Sequence, residues 1–130
     1  MQKHTTFFDL VNETKTRITS VDVDQAERML SEGYKVLDIR EPHEHKTKHI
    51  PSSINIPRGV LEPAACTEYT GANPVLRDAR NDGWLVLCAT GGRAALATDT
   101  LQSMGFNNVS CIEGGLEAWQ QANKTTATHQ

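Results

Sequence analysis

The sequence predicts an α/β domain, a mostly parallel sheet with helices on both faces, on three observations. Five short runs at residues 17–19, 34–39, 54–56, 84–87 and 109–112 have strand length, and the most apolar of them are too short for helices. Between them, apolar residues recur at helical spacing, as in Val23, Ala26, Met29 and Leu30, and again in Ala94, Ala97, Leu101 and Met104. The two kinds of signal alternate, which is the order that parallel strands with covering helices require.

In chain order, residues 1–16 mix polar residues with Phe7, Phe8, Leu10 and Val11, and read either as one turn of helix packed on the domain or as a loose extension. The first strand is expected at 17–19, followed by a helix capped by Ser20 or Asp22, running to Ser31 and closed by Gly33. Residues 34–39 are rich in β-formers and read as a central strand buried on both faces. Asp38 and Arg40 stand at its C-terminal end, where α/β sheets open their ligand crevices. They read either as neighbours of a site or as an ion pair or cap holding the loops.

His43, Glu44, His45 and His49 form the densest histidine cluster. On a helix His45 and His49 share a face while His43 points away, at about 100° per residue, so the cluster reads as solvated side chains and a packed His49, and no metal site is expected. A strand at 54–56 ends at Pro57, and 58–83 turns polar and irregular, with a brief helix around Val75, Leu76 and Ala79. Cys66 falls in this stretch and reads as a bystander, the alternative being a second thiol within reach of Cys88. Residues 109–112 form the last strand with Cys111 in the core, Gly114-Gly115 a tight turn, and 116–122 a short helix with Trp119 on its apolar side. Residues 123–130 read as a flexible polar tail.

The most informative stretch is the one around Cys88, which sits between a strand at 84–87 and the helix that starts soon after. The turn Cys88-Ala89-Thr90-Gly91-Gly92-Arg93 carries two glycines, which let successive backbone amides point inward and form a ring that holds an anion. A thiol at the mouth of such a ring, facing the positive end of a helix, ionises more readily than a free cysteine. Cys88 is therefore the candidate nucleophile, the plain alternative being a small buried cysteine that ends a strand.

Composition narrows the remaining classes. At 130 residues with 38% hydrophobic and 22% charged residues, the chain reads as one soluble globular domain. A net charge of −3 argues against nucleic acid as a partner. No run approaches a membrane span or the apolar core of a secretory signal, so a cytoplasmic monomer is expected. Cys66, Cys88 and Cys111 are an odd number without a Cys-x-x-Cys pattern, which fits a reducing compartment rather than a disulfide framework or zinc ribbon.

Five motifs in order, the Cys88 loop with its helix, Val36-Leu37-Asp38-Ile39-Arg40-Glu41-Pro42, His49-Ile50-Pro51, Asn55-Ile56-Pro57 and Glu113-Gly114-Gly115-Leu116-Glu117-Ala118-Trp119, resemble a single-domain rhodanese. The resemblance runs from about residue 18 to 122, giving a domain at 17–122 between the extension and the tail. One departure is Lys48, where the family usually has glycine. The resemblance implies a five-stranded central sheet, sulfur transfer without a cofactor, and a role for Asp38 and Arg40 in supporting the active loop rather than in direct chemistry.

The expected reaction is double displacement. Cys88 takes the outer sulfur of thiosulfate, mercaptopyruvate or another persulfide, and a thiol, cyanide or a protein acceptor then removes it. The amides of Ala89, Thr90, Gly91, Gly92 and Arg93 stabilise the terminal sulfur, and Arg93 either attracts the donor or braces the loop through its carbonyls. Two other classes stand beside this one. A cysteine phosphatase or arsenate reductase would place five residues between cysteine and arginine, whereas four intervene here; a non-catalytic binding module or persulfide carrier would use the fold for partners alone.

Overall fold

The computed structural model describes residues 4–128, so residues 1–3 of the expected extension and 129–130 of the expected tail lie outside it. A five-stranded sheet, ordered β1-β5-β4-β2-β3, is formed by β1 (Thr19–Val21), β2 (Lys35–Asp38), β3 (Ile54–Asn55), β4 (Trp84–Leu87) and β5 (Val109–Ile112). Every pairing between them is parallel. Seven α-helices accompany the sheet among the described residues: α1 (Phe7–Thr14), α2 (Val23–Ser31), α3 (Pro42–Thr47), α4 (Leu61–Ala65), α5 (Pro74–Arg77), α6 (Gly92–Ser103) and α7 (Gly115–Gln121). This is the α/β architecture the alternating pattern predicts.

The period of two along each strand divides the core. Trp84, Val86 and Cys88 face one side, where Val11 of α1, Leu61 of α4, Leu76 of α5, and Ala94 and Leu101 of α6 pack on them. Leu85 and Leu87 face the other, against Ala26 of α2 and Leu116 and Trp119 of α7. All four residues of β4 are buried, which makes it the rigid centre from which the Cys88 turn projects.

Three local differences from the sequence reading have physical causes. The first strand lies two residues later than expected, because pairing of Val21 with Ile112 sets its register, and Arg17 instead turns outward to Asp99. Residues 7–14 are a true helix, capped by a reciprocal pair of Thr6 and Asp9 bonds and packed on α6 through Val11. In the polar stretch 58–83 a second helix, α4, was masked by Pro63, yet Leu61 and Ala65 are fully buried.

Candidate active site

The loop from Cys88 to Arg93 leaves the C-terminal end of β4 and enters α6, with Gly91 in the left-handed region at φ 110° as the helix cap. The Cys88 sulfur takes the place of a capping side chain. It accepts from the amide of Gly91 at 3.0 Å and from that of Ala94, the third residue of the helix, at 3.3 Å. The amides of Ala89, Thr90, Gly92 and Arg93 meet no acceptor among the described residues. Two amides thus converge on the Cys88 sulfur, with Ala94 as a donor that the sequence offered only as a core alanine.

A ring of donors holds a negative charge only if the neighbouring carbonyls point elsewhere. The carbonyl of Cys88 accepts from Leu116 N at 2.9 Å and that of Ala89 from Glu117 N at 3.0 Å, while Gly91 O accepts from Ala95 N at 3.0 Å. The N-terminal turn of α7 thus takes up the outward face of the loop. That contact explains Gly115: a Cβ there would lie 2.4 Å from the Cys88 oxygen. Nothing in the local sequence pattern links Gly114-Gly115 to the loop, since only the folded sheet brings the two together.

Access is narrower than the sequence suggested. Cys88 is 1% exposed and lies on the floor of the loop rather than at its mouth, beneath the exposed Thr90 and half-buried Ala89 and Gly92.

The guanidinium of Arg93 does not brace the loop carbonyls, which corrects one of the two roles expected for it. It meets Glu44 of α3 in a paired contact, Nη1 to Oε1 at 3.0 Å and Nη2 to Oε2 at 3.2 Å. The hydrogen bond from Arg93 pulls the Glu44 carboxyl down to about 2. The same partner raises Arg93, with smaller contributions from the charges of Cys88 and Asp38. Glu44 reads from sequence as part of a histidine cluster and proves to be the anchor for the loop's arginine.

Asp38 and Arg40 form a buried ion pair, 0% and 5% exposed. Arg40 reaches Asp38 Oδ2 at 2.7 Å through Nη2 and Oδ1 at 3.0 Å through Nε, and the same Nη2 donates to Lys48 O at 2.7 Å. Asn55 Nδ2 donates to the carbonyls of both residues, at 2.9 and 2.8 Å. The pair ties the end of β2 to the exit of α3, and therefore to the helix that carries Glu44. Lys48 itself is extended, at φ −163°, ψ 134°, a conformation any residue adopts, so the turn has no need of glycine.

The remaining candidates lie elsewhere. His45 and His49 stack at 4.2 Å, with His45 Nε2 at 3.0 Å from Ser53 Oγ and His49 Nδ1 at 2.9 Å from His45 O. Cys66 caps the end of α4. Cys111 is buried in β5, and burial together with the nearby Cys88 charge pushes its thiol up to about 12. The segment read as a free tail makes specific contacts as far as it is described: Lys124 pairs with Asp24 and Glu27, Trp119 Nε1 donates to Thr125 O, and Ala127 bridges His49.

Residues 22–122 match the model of the rhodanese-like domain. The chain belongs to the rhodanese-like family. Among curated relatives, thiosulfate sulfurtransferase 18 of Arabidopsis thaliana is 32% identical over 112 residues, covering 78% of each chain. The chloroplastic thiosulfate sulfurtransferase 16 of the same plant is 33% identical over 104 residues, covering 78% of this chain and 86% of the relative. Among solved structures, a protein of unknown function from Rhodopseudomonas palustris, described as a possible tyrosine phosphatase, superposes with a TM-score of 0.86 at 30% identity over 98% of both chains. No helix among the described residues is long and apolar enough to cross a membrane.

Proposed function

We propose that this rhodanese-like protein is a sulfurtransferase that carries sulfur as a persulfide on Cys88. The observation that supports it most is the loop backbone: two amides on one sulfur, four more without a protein acceptor among the described residues, and the Cys88 and Ala89 carbonyls turned onto α7. Donors placed in this way are aimed where negative charge builds up on a transferred sulfur.

In the first half-reaction the Cys88 thiolate attacks the outer sulfur of thiosulfate. The S–S bond of the donor breaks and its electron pair leaves with sulfite, so that Cys88 carries a persulfide anion. The free amides of the loop then face the added sulfur. In the second half-reaction cyanide or a thiol attacks that outer sulfur, and the electron pair of the new S–S bond returns to Cys88. No cofactor is needed, because neither half changes the overall oxidation state. Such a thiol works in a reducing compartment, of which the cytoplasm is the one the composition suggested.

A phosphatase reading, suggested by the description of the Rhodopseudomonas protein, fits less well. Only Ala89, Thr90, Gly91 and Gly92 separate Cys88 from Arg93, and the arginine fork that would grip a phosphate is occupied by Glu44.

Intact-mass spectrometry after incubation with thiosulfate tests the proposal. The expected result is a gain of one sulfur atom, reversed by cyanide and absent in Cys88→Ser. An unchanged mass of the native protein under these conditions would overturn it in favour of a binding module.

A further inference from the structure

The helix α1 lies outside the matched domain, and its apolar face is only partly used. Val11 is buried against α6, but Phe7 and Leu10 are half exposed and Phe8 is 72% exposed. Phe7 rests against the active loop so closely that a Cβ on Gly92 would lie 2.6 Å from its ring. Beside this contact runs a cavity of about 200 Å³, walled by Phe7, Phe8 and Val11 on one side and by Thr90 and Gly92 of the loop on the other. Lys15 supplies the single charged side chain of its lining, and its ammonium is shared with Glu113 at only 3.5 Å.

We propose that this cavity seats the sulfur acceptor, a small thiol that carries an aromatic ring and an acid group. The proposal rests on the sulfurtransferase reading above and names the substrate class of that same site. Three features select this occupant. The space accommodates one ring with a short substituent, cavities of about 150 Å³ being large enough for benzene. The apolar wall covers the ring, and Lys15 complements the acid, with Glu113 released to solvent as the two exchange partners. The cavity borders the sulfur loop at Thr90 and Gly92, the residues on either side of the amide donor Gly91. In the transfer the acceptor thiolate attacks the outer sulfur of the persulfide. The Cys88–sulfur bond breaks, its electron pair returns to Cys88, and the acceptor leaves as its own persulfide anion.

Steady-state turnover with thiosulfate as donor tests this with four acceptors: cyanide, 3-mercaptopropionate, benzyl mercaptan and 4-(mercaptomethyl)benzoate. The expected order places 4-(mercaptomethyl)benzoate about tenfold or more above the other two thiols in kcat/KM. Phe8→Ala, a change at an exposed position, is expected to lower the ratio of kcat/KM for that thiol to kcat/KM for cyanide about fivefold. Lys15→Met should erase its advantage over benzyl mercaptan alone. If cyanide is turned over while the three thiols are equivalent, or while Phe8→Ala leaves the ratio unmoved, the cavity is not the acceptor site and the sulfurtransferase reading stands. If the native protein neither gains sulfur nor turns over cyanide, both fall together.

Discussion

Cys88 and Cys111 are each 1% exposed and sit one strand apart, Cys111 opposite Val86 in the register of β4 and β5. Their surroundings differ in one respect. Cys88 stands two residues further along, past the end of its strand, where the amides of Gly91 and Ala94 reach its sulfur. Cys111 stays within the ladder, and among the described residues no backbone amide donates to it; its thiol instead faces the carbonyls of Gly91 at 3.7 Å and Ile112 at 3.9 Å. Burial raises Cys111 to about 12 and keeps it a neutral filler. Seclusion from water is therefore shared by the two sulfurs, and the direction of the nearby backbone dipoles is what distinguishes their surroundings.

The sharpest way to break this contrast is to exchange the two thiols for hydroxyls. Cys88→Ser should abolish sulfur uptake, while Cys111→Ser should retain it within about twofold, both read by intact mass after thiosulfate treatment. Equal loss in the two variants would show that the strand position carries no chemistry of its own.

The next largest effect is expected at Gly115, which is at φ 58° and whose Cβ would strike the Cys88 carbonyl. Gly115→Ala should push α7 off the loop, free the carbonyls of Cys88 and Ala89, lower turnover about 100-fold and destabilise the fold by about 2 kcal/mol, measured by kinetics and by urea unfolding. A variant with normal turnover would mean that the outward anchoring of the carbonyls is dispensable.

A smaller effect sharpens the electrostatic side. Because the folded Glu44 carboxyl is held at about 2, below its ordinary 4.5, its pairing with Arg93 contributes stability above pH 4.5 that is lost as the pH falls toward 2. Both side chains are partly open to solvent, so the contribution is about 1 kcal/mol. Glu44→Gln should flatten the acid limb of the stability curve by that amount, as followed by thermal unfolding between pH 2 and 7.

Cys111 gives the mirror image. Its folded thiol is raised from 9.0 to about 12, so its contribution is complete below pH 9 and is lost as the pH rises toward 12. At neutral pH, Cys111→Ser should cost only about 1 kcal/mol in a denaturant titration, while the alkaline loss of stability becomes shallower.

The parts of the site that the sequence disclosed are those encoded within a few residues. The apolar run 84–87, the two glycines and the helical spacing after them announce a strand, a turn and a helix, and with them a sulfur facing amides. What stayed hidden depends on residues brought together by the sheet. Leu116 and Glu117 are nearly thirty positions from the carbonyls they hold, and Glu44 is 49 from Arg93. The stretch 58–83 was opaque for the same reason. Its order comes from Arg80, whose guanidinium gathers the carbonyls of Ala65, Arg77 and Met104 and lies 4.7 Å over the ring of Phe106, a set of partners that no local periodicity announces.

The antiparallel bridge between His49 and Ala127, with the Trp119 to Thr125 bond behind it, holds the segment at 125–127 against the domain. His49 follows directly on the Lys48 carbonyl that Arg40 grips, so a module fused behind residue 128 would be leashed to the α3 side of the molecule. Its local concentration there would be set by linker length alone, which offers a direct route to coupling this domain to a downstream enzyme in tandem.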